Sequence, residues 1–277
     1  MGSNPSITFF DVAFAPPYSE NAAAPNPWKS RYALNFKDVP YITQWVQMPD
    51  VAKTRQGLGI PPCRKFKDGT DYYTLPVVTD SATGAKLGDS FDIASYLEKT
   101  YPNSGAGDLF PADINLDYTC PVQLNFGPPL TERDDKLHVE YGKFNDQVDM
   151  AFTLHVQLMF KGMKWDPKLA NGIRVEFARR AGAARWEDLS SEGEARGKLM
   201  GSLRDTVRDL AGVFQRDSSG PFVLGEKACY ADIIVGGWLC MMSRTLPEGE
   251  WEEVRGWYDG VFGRLHDALQ ERFGDVK

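Results

Sequence analysis

The chain is poor in the residues that carry chemistry alone. Three histidines and four cysteines are scattered over 277 residues. Cys63, Cys120, Cys229 and Cys240 contain no C-x-x-C and fit no metal spacing, so reduced thiols are their simplest state. That state suits a cytoplasmic protein. His138 and His266 are scattered too, and His155 falls on an apolar helical pattern, as a satisfied core or pocket-wall residue would. No metal is expected. No apolar run is long enough to span a bilayer. Basic residues are in deficit, with a net charge of −7 and a pI near 5.1, which argues against nucleic acid or an anionic membrane as partner. The opening MGSNPSITFFDV has neither a charged n-region nor an apolar h-region, so no signal peptide is expected. A myristoylation reading of Met1-Gly2 is set aside, because a strand begins at Ile7 and nothing basic assists.

What is present centres on Tyr72–Pro102. Thr74 to Val78 is a short β-rich run, Ser81-Ala82-Thr83-Gly84 is a turn cluster, and Lys86-Leu87 opens a second short strand. Asp89-Ser90 then precedes the apolar pattern Phe91, Ile93, Ala94, Leu97, a helix start signal. Pro76 interrupts an apolar strand, where it removes a donor. A cis Leu75–Pro76 bond would turn the Leu75 backbone outward, toward a ligand. Ser90 and the first N–H groups of its helix would favour an anion. An extended backbone edge beside a carboxylate-binding helix start is a peptide-binding arrangement.

The rest of the chain fits two domains, 1–110 and 111–277. Ile7–Val12 reads as a strand, Ala13–Pro25 as a long loop, Pro27–Lys37 as a helix and Tyr41–Val46 as a second strand. β-α-β followed by β-β-α predicts a thioredoxin-like α/β domain. Met48–Gly69 is irregular and basic, with Lys53, Arg55, Arg64, Lys65 and Lys67. After the Gly/Pro/Ser-rich stretch Asn103–Asp113 no convincing strand remains. Thr131–Lys161, Glu192–Arg216, an apolar helix within Phe222–Met242 and Trp251–Phe273 predict an all-helical second domain. Cys229-Tyr230-Ala231-Asp232 occupies the place of a capping box, with a thiol as the poorer N-cap acceptor.

Leu75-Pro76 followed by Asp89-Ser90 resembles the glutathione site of glutathione transferases. The stretch Pro25-Asn26-Pro27-Trp28-Lys29-Ser30-Arg31-Tyr32-Ala33-Leu34 narrows the resemblance. It is similar to the S-P-x-x-W-[KR]-x-[KR]-x-A-L stretch of bacterial β-etherase-type transferases and of the fungal-specific, etherase-related class A. The resemblance covers nearly the whole chain, and fungal class A fits best. It implies glutathione as co-substrate, a cytoplasmic homodimer and a role in detoxification. On this chain it implies glutathione contacts at Leu75, Pro76, Asp89, Ser90, Trp28 and one or two basic residues, Lys53 and Arg64 foremost.

The same alignment puts the family's catalytic serine on Ala24, whose methyl cannot donate a hydrogen bond. Asn26 could donate instead, as could backbone N–H groups at the helix start, while Ser19 or Tyr18 would have to return across the loop. Asn26, aided by the backbone, is the favoured catalytic donor; the alternative is a turn residue before Pro27. Ala22-Ala23-Ala24 leaves no thiol for mixed-disulfide chemistry. A cleft lined by Tyr18, Pro25, Tyr141, Phe144, Phe152, Met159 and Phe160 would hold aromatic electrophiles. Wood-derived phenolics or aryl ethers follow by analogy. Two functions result: a transferase, or a ligandin that binds aromatic metabolites with little turnover. A glutathione-independent regulatory module is the third.

Overall fold

The structure is a computed structural model that describes residues 5–66, 68–123 and 137–277. The Met1-Gly2 motif, Lys67 and the first six residues of the helix expected from Thr131 lie outside the described residues. The first half runs β1 (Ile7–Ala13), α1 (Tyr18–Asn21), α2 (Pro25–Phe36), β2 (Tyr41–Gln47), α3 (Val51–Gly57), β3 (Arg64–Lys65), β4 (Asp71–Tyr72), β5 (Val77–Asp80), β6 (Ala85–Leu87) and α4 (Ser90–Thr100). The main sheet has the order β2-β1-β5-β6. β1 and β2 are parallel through the α2 crossover, while β5 and β6 add antiparallel. β3 and β4 form a separate ribbon in which Arg64 faces Tyr72.

The second half is helical: α5 (Val139–Thr153), α6 (Gln157–Phe160), α7 (Ala170–Ala181), α8 (Gly193–Thr206), α9 (Arg208–Phe214), α10 (Tyr230–Thr245) and α11 (Glu248–Phe273). This is a thioredoxin-like α/β unit followed by an all-helical unit. The Thr131–Lys161 pattern stops at Thr153 and resumes briefly as α6. Glu192–Arg216 is broken at Val207, and α11 is interrupted at Trp257–Gly260. α7, which packs near Met48–Asp50, is absent from the sequence reading.

α2 joins the halves. It packs on α4 on one side and on α10 and α11 on the other, so even its polar residues Lys29, Ser30 and Arg31 are fully buried. Buried cations need partners. The Arg31 guanidinium donates to Asp11 Oδ2 at 2.7 Å, and Lys29 Nζ donates to Asn145 Oδ1 at 2.9 Å and to Asp149. α10 crosses α2 at Gly237, where a Cβ would lie 2.6 Å from the Pro25 carbonyl oxygen. Only glycine permits that approach, which brings Trp238 and Met241 up to the start of α2. The start of α10 is closed by Asp232, whose carboxylate accepts from Cys229 N at 2.7 Å and Val223 N at 2.8 Å. The thiol of Cys229 fills the reciprocal role in the box.

Candidate functional site

The site begins at the first turn of α2. Ala24 is the N-cap, with extended backbone and no side-chain cap. Pro25 and Pro27 have no N–H, so among the first three helical positions only Asn26 retains a backbone donor. The next N–H, that of Trp28, bonds to Ala24 O at 3.1 Å. Both donors considered for the missing hydroxyl, a helix-start N–H and a side-chain amide, therefore belong to one residue. Asn26 Oδ1 is buried without a hydrogen-bond partner. That unanswered end is an acceptor, which an N–H or O–H of a ligand can satisfy.

Ala24, Pro25, Asn26 and Pro27 form one side of a cavity of about 340 Å³. Leu75, reached through a cis Leu75–Pro76 bond, lines it beside Thr74. Much of the remaining lining is aromatic: Phe14, Phe160, Trp165, Phe177 and Trp238, with Met163 and Met241. Phe14 stacks on Trp165 with ring centroids 4.6 Å apart and planes 13° apart. Ala15 N donates to Lys164 O at 2.8 Å, which fastens the long loop to the segment carrying Trp165. Trp165 Nε1 is a second buried polar atom of the lining without a partner. A largely apolar cavity with a few polar groups is the usual form of a small-molecule site.

Two arginines are the only charged residues among the described lining. Arg64 comes from β3 and Arg180 from the end of α7. Arg180 donates to Tyr73 O at 2.9 Å and to Glu176 Oε1 at 2.9 Å. Hydrogen bonds from Arg179, then Arg180, hold the Glu176 carboxyl below the usual range.

Of the residues expected from sequence, Pro25, Asn26, Leu75, Arg64 and Phe160 lie on this cavity. Ser90 starts α4 away from the cavity lining and is 6% exposed. Asp89 caps α4, accepting from Phe91 N at 2.8 Å and Asp92 N at 3.3 Å. Those two N–H groups are thus taken by the protein, leaving the Ser90 hydroxyl and N–H at that helix start. Lys53 lies on a separate shallow groove with Gln44 and Trp45. Val51, two residues earlier on α3, faces the cavity, and a two-residue step puts Lys53 on another face. Arg55 is buried, donating to Thr74 O and Gly88 O at 2.8 Å and to Pro61 O at 2.7 Å. It organises the loop around the proline hairpin.

Trp28 is fully buried, and its indole donates to Ala22 O at 2.7 Å, so it shapes the α2 start from beneath. Tyr18 packs on Trp45 and accepts from Gln47 Nε2 at 3.2 Å, outside the cavity lining. Tyr141, Phe144 and Met159 are buried in the main core, since the apolar stripe of α5 faces the helical unit. Burial pushes the Tyr141 phenol up, and it donates to Pro111 O at 3.0 Å. Phe152 backs the cavity from behind, stacked on Trp238 with centroids 5.4 Å apart. His155 is satisfied on both nitrogens, by Ala151 O at 2.7 Å and Ser202 Oγ at 3.0 Å.

The lining residues missed from sequence include Phe14, Trp165, Phe177 and Arg180. A signal for α7 existed. Ile173 and Phe177 stand four apart, Arg179-Arg180 sit in the last turn, and Gly182 ends the helix at φ +70°.

Residues 23–100 match the family model described as "Glutathione S-transferase, N-terminal domain", and residues 173–272 match "Glutathione S-transferase, C-terminal domain". A glutathione S-transferase of Ceriporiopsis subvermispora, crystallised in complex with glutathione, is 30% identical, with a TM-score of 0.77. The match covers 98% of this chain and 99% of that one. The glutathione transferase GSTFuA2 from Phanerochaete chrysosporium is 26% identical with a TM-score of 0.75, covering 98% of this chain and 99% of its own. A glutathione S-transferase-like protein of Aspergillus flavus is 27% identical over 275 residues, 95% of this chain and 90% of that protein. Among the described residues no helix is long and apolar enough to cross a membrane, and no group of three or more His, Cys, Asp or Glu could hold a metal ion.

Proposed function

The chain belongs to the glutathione S-transferase family, and from that premise we propose that it joins glutathione to flat, hydrophobic, mainly aromatic electrophiles. The glutathione thiolate attacks an electrophilic carbon and the new C–S bond forms; in substitution the leaving group departs with its bonding pair, and in addition the electrophile's π pair takes up a proton. The observation that carries this reading is one cavity lined both by Asn26 and Leu75 and by a set of aromatic side chains. Asn26 stabilises the sulfur anion through its side-chain amide and its N–H. Leu75 holds the peptide backbone of glutathione, and Ser90 its far carboxylate. The glutathione complex of the Ceriporiopsis relative supports this choice of co-substrate. Within the family we place the chain in the fungal-specific, etherase-related class A, on the Pro25-x-x-Trp28-Lys29 stretch and the likeness to GSTFuA2. We further propose a division near residue 110, a homodimer and a cytoplasmic location.

Ala24 favours a second reading, a ligandin that holds aromatic metabolites beside glutathione with little turnover. One experiment separates the two. Conjugation of a chlorodinitrobenzene or an isothiocyanate is measured beside displacement of a fluorescent dye from the cavity. Turnover that saturates with glutathione supports the enzyme. Dye displacement without turnover supports the ligandin, and failure to bind glutathione sinks both.

A further inference from the structure

We propose that Arg244, which does not line the cavity, is a positioning residue of the sulfur site: it fixes residues 22–26 and so sets where Asn26 meets the glutathione sulfur. This inference rests on the reading of Asn26 as the donor to that sulfur. One face of α10 leads to it. Gly237, Met241 and Arg244 follow at steps of four and three, so they share a stripe of the helix. Gly237 meets the Pro25 carbonyl, and Met241 lines the cavity. Arg244, in the last turn, reaches the chain just before α2.

That stretch has little of its own to hold it. Ala22, Ala23 and Ala24 have no polar side chain, α1 is one turn long, and Ala24 caps α2 without a side-chain bond. The carbonyls at the end of α1 therefore need donors from elsewhere. Arg244 Nη1 supplies them, donating to Ala22 O at 2.8 Å and Glu20 O at 3.1 Å, with Ser19 O farther, at 3.4 Å. Ala22 O also accepts from the Trp28 indole at 2.7 Å, and the Arg244 guanidinium lies 4.5 Å from the Trp28 ring centroid. One side chain of the helical half thus grips both the end of α1 and the first turns of α2. A guanidinium suits this place, because its face packs on an indole while its edge donates to several carbonyls; an ammonium cannot do both. Without that grip the Ala22 carbonyl keeps the indole alone, and Asn26 loses a fixed place in the cavity lining. Placement matters most at a group that meets a reacting atom.

The test is a pH titration of the thiolate absorbance of bound glutathione in the full chain, with conjugation of chlorodinitrobenzene followed over the same pH range. The variants are Arg244→Gln and Arg244→Lys. The second keeps the charge and part of the packing on Trp28, so it serves where the first does not fold. Both are expected to raise the pKa of bound glutathione, by about one unit in Arg244→Gln. Less thiolate is then present near neutral pH, so the rate there falls about tenfold and returns toward the parent's above the raised pKa, with little change in glutathione affinity. A variant that only loosens the fold loses activity at every pH alike and leaves the titration, read per bound glutathione, where it was; that result overturns the positioning role. So does a parental pKa in Arg244→Lys, which would trace the effect to charge rather than to placement. A parent that binds no glutathione, or binds it without ionising its thiol in the titrated range, overturns the reading of Asn26 as the donor and this inference with it.

Discussion

A single residue, Asn26, carries the largest chemical burden, because the three positions around it that could have donated to sulfur cannot. Ala24 has a methyl, and Pro25 and Pro27 have no N–H. Asn26→Ala removes the side-chain donor and keeps the backbone one. The pKa of bound glutathione should then rise by about one unit for each 1.4 kcal/mol lost. Conjugation near neutral pH should fall in step, with little change in glutathione affinity. Ala24→Ser should lower that pKa wherever the new hydroxyl reaches sulfur. A pH titration of thiolate absorbance in parent and variants checks both, and an unchanged titration in Asn26→Ala leaves the N–H as sole donor. Ser90 makes a separate prediction. Asp89 already occupies two N–H groups of α4, so an anion there depends on the Ser90 hydroxyl and N–H. Ser90→Ala should weaken glutathione binding by about 1–3 kcal/mol by calorimetry. The fold should hold, since the structural bond at this residue runs from Tyr230 OH to the Ser90 backbone carbonyl. Equal affinity in parent and variant would remove Ser90 from the site.

At the scale of elements, what was legible depended on whether local pattern or long-range packing decided the outcome. β1, α2, β2, β5, β6 and α4 were readable to within one to three residues, because proline, turn clusters and the Asp89 cap mark their ends in the sequence. Of the aromatic wall only Phe160 was. The stripe Tyr141, Phe144, Val148, Phe152 has the correct period for a buried face, but period does not say which neighbour that face meets. The structure turns it to the helical core and gives the cavity to Phe160, Trp165 and Phe177. Gly237 shows the same principle from the other side, since its purpose is visible only when α10 is laid on α2. Gly237→Ala should force Pro25 and Asn26 away from Trp238, because the new methyl would meet a backbone oxygen rather than a flexible side chain. A loss of roughly 1–3 kcal/mol in urea unfolding is expected, with weaker dye binding in the cavity. Full stability and full binding together would mean that α10 can shift without cost to the site.

For the whole molecule, the question is what ties the α/β half to the helical half beneath the cavity. One buried polar cluster spans three helices. Lys29 of α2 donates to Asn145 and Asp149 of α5, and the Trp238 indole of α10 donates to Asp149 Oδ1 at 2.7 Å. Lys29 is fully buried, whereas the Asp149 side chain keeps 29% of its exposure, so the pair is not wholly desolvated. Breaking it should therefore cost less than a sealed pair: Lys29→Met should destabilise by roughly 2–4 kcal/mol. Asp149→Asn removes the charge that answers Lys29 and should also destabilise, because a buried ammonium is left against neutral amides. The double variant should be more stable than the sum of the single losses predicts, by about 1–3 kcal/mol, since neither charge then lacks its partner. Trp238 gives this cluster a functional consequence, because the same ring lines the cavity and stacks on Phe152. In Lys29→Met the indole keeps its acceptor, so dye affinity should fall far less than stability. In Asp149→Leu the acceptor is gone, and dye affinity should fall with stability. Urea unfolding and dye titration of the single and double variants measure both. Additive losses, or equal dye affinity in all variants, would show that the cluster fills space between the halves without positioning the wall.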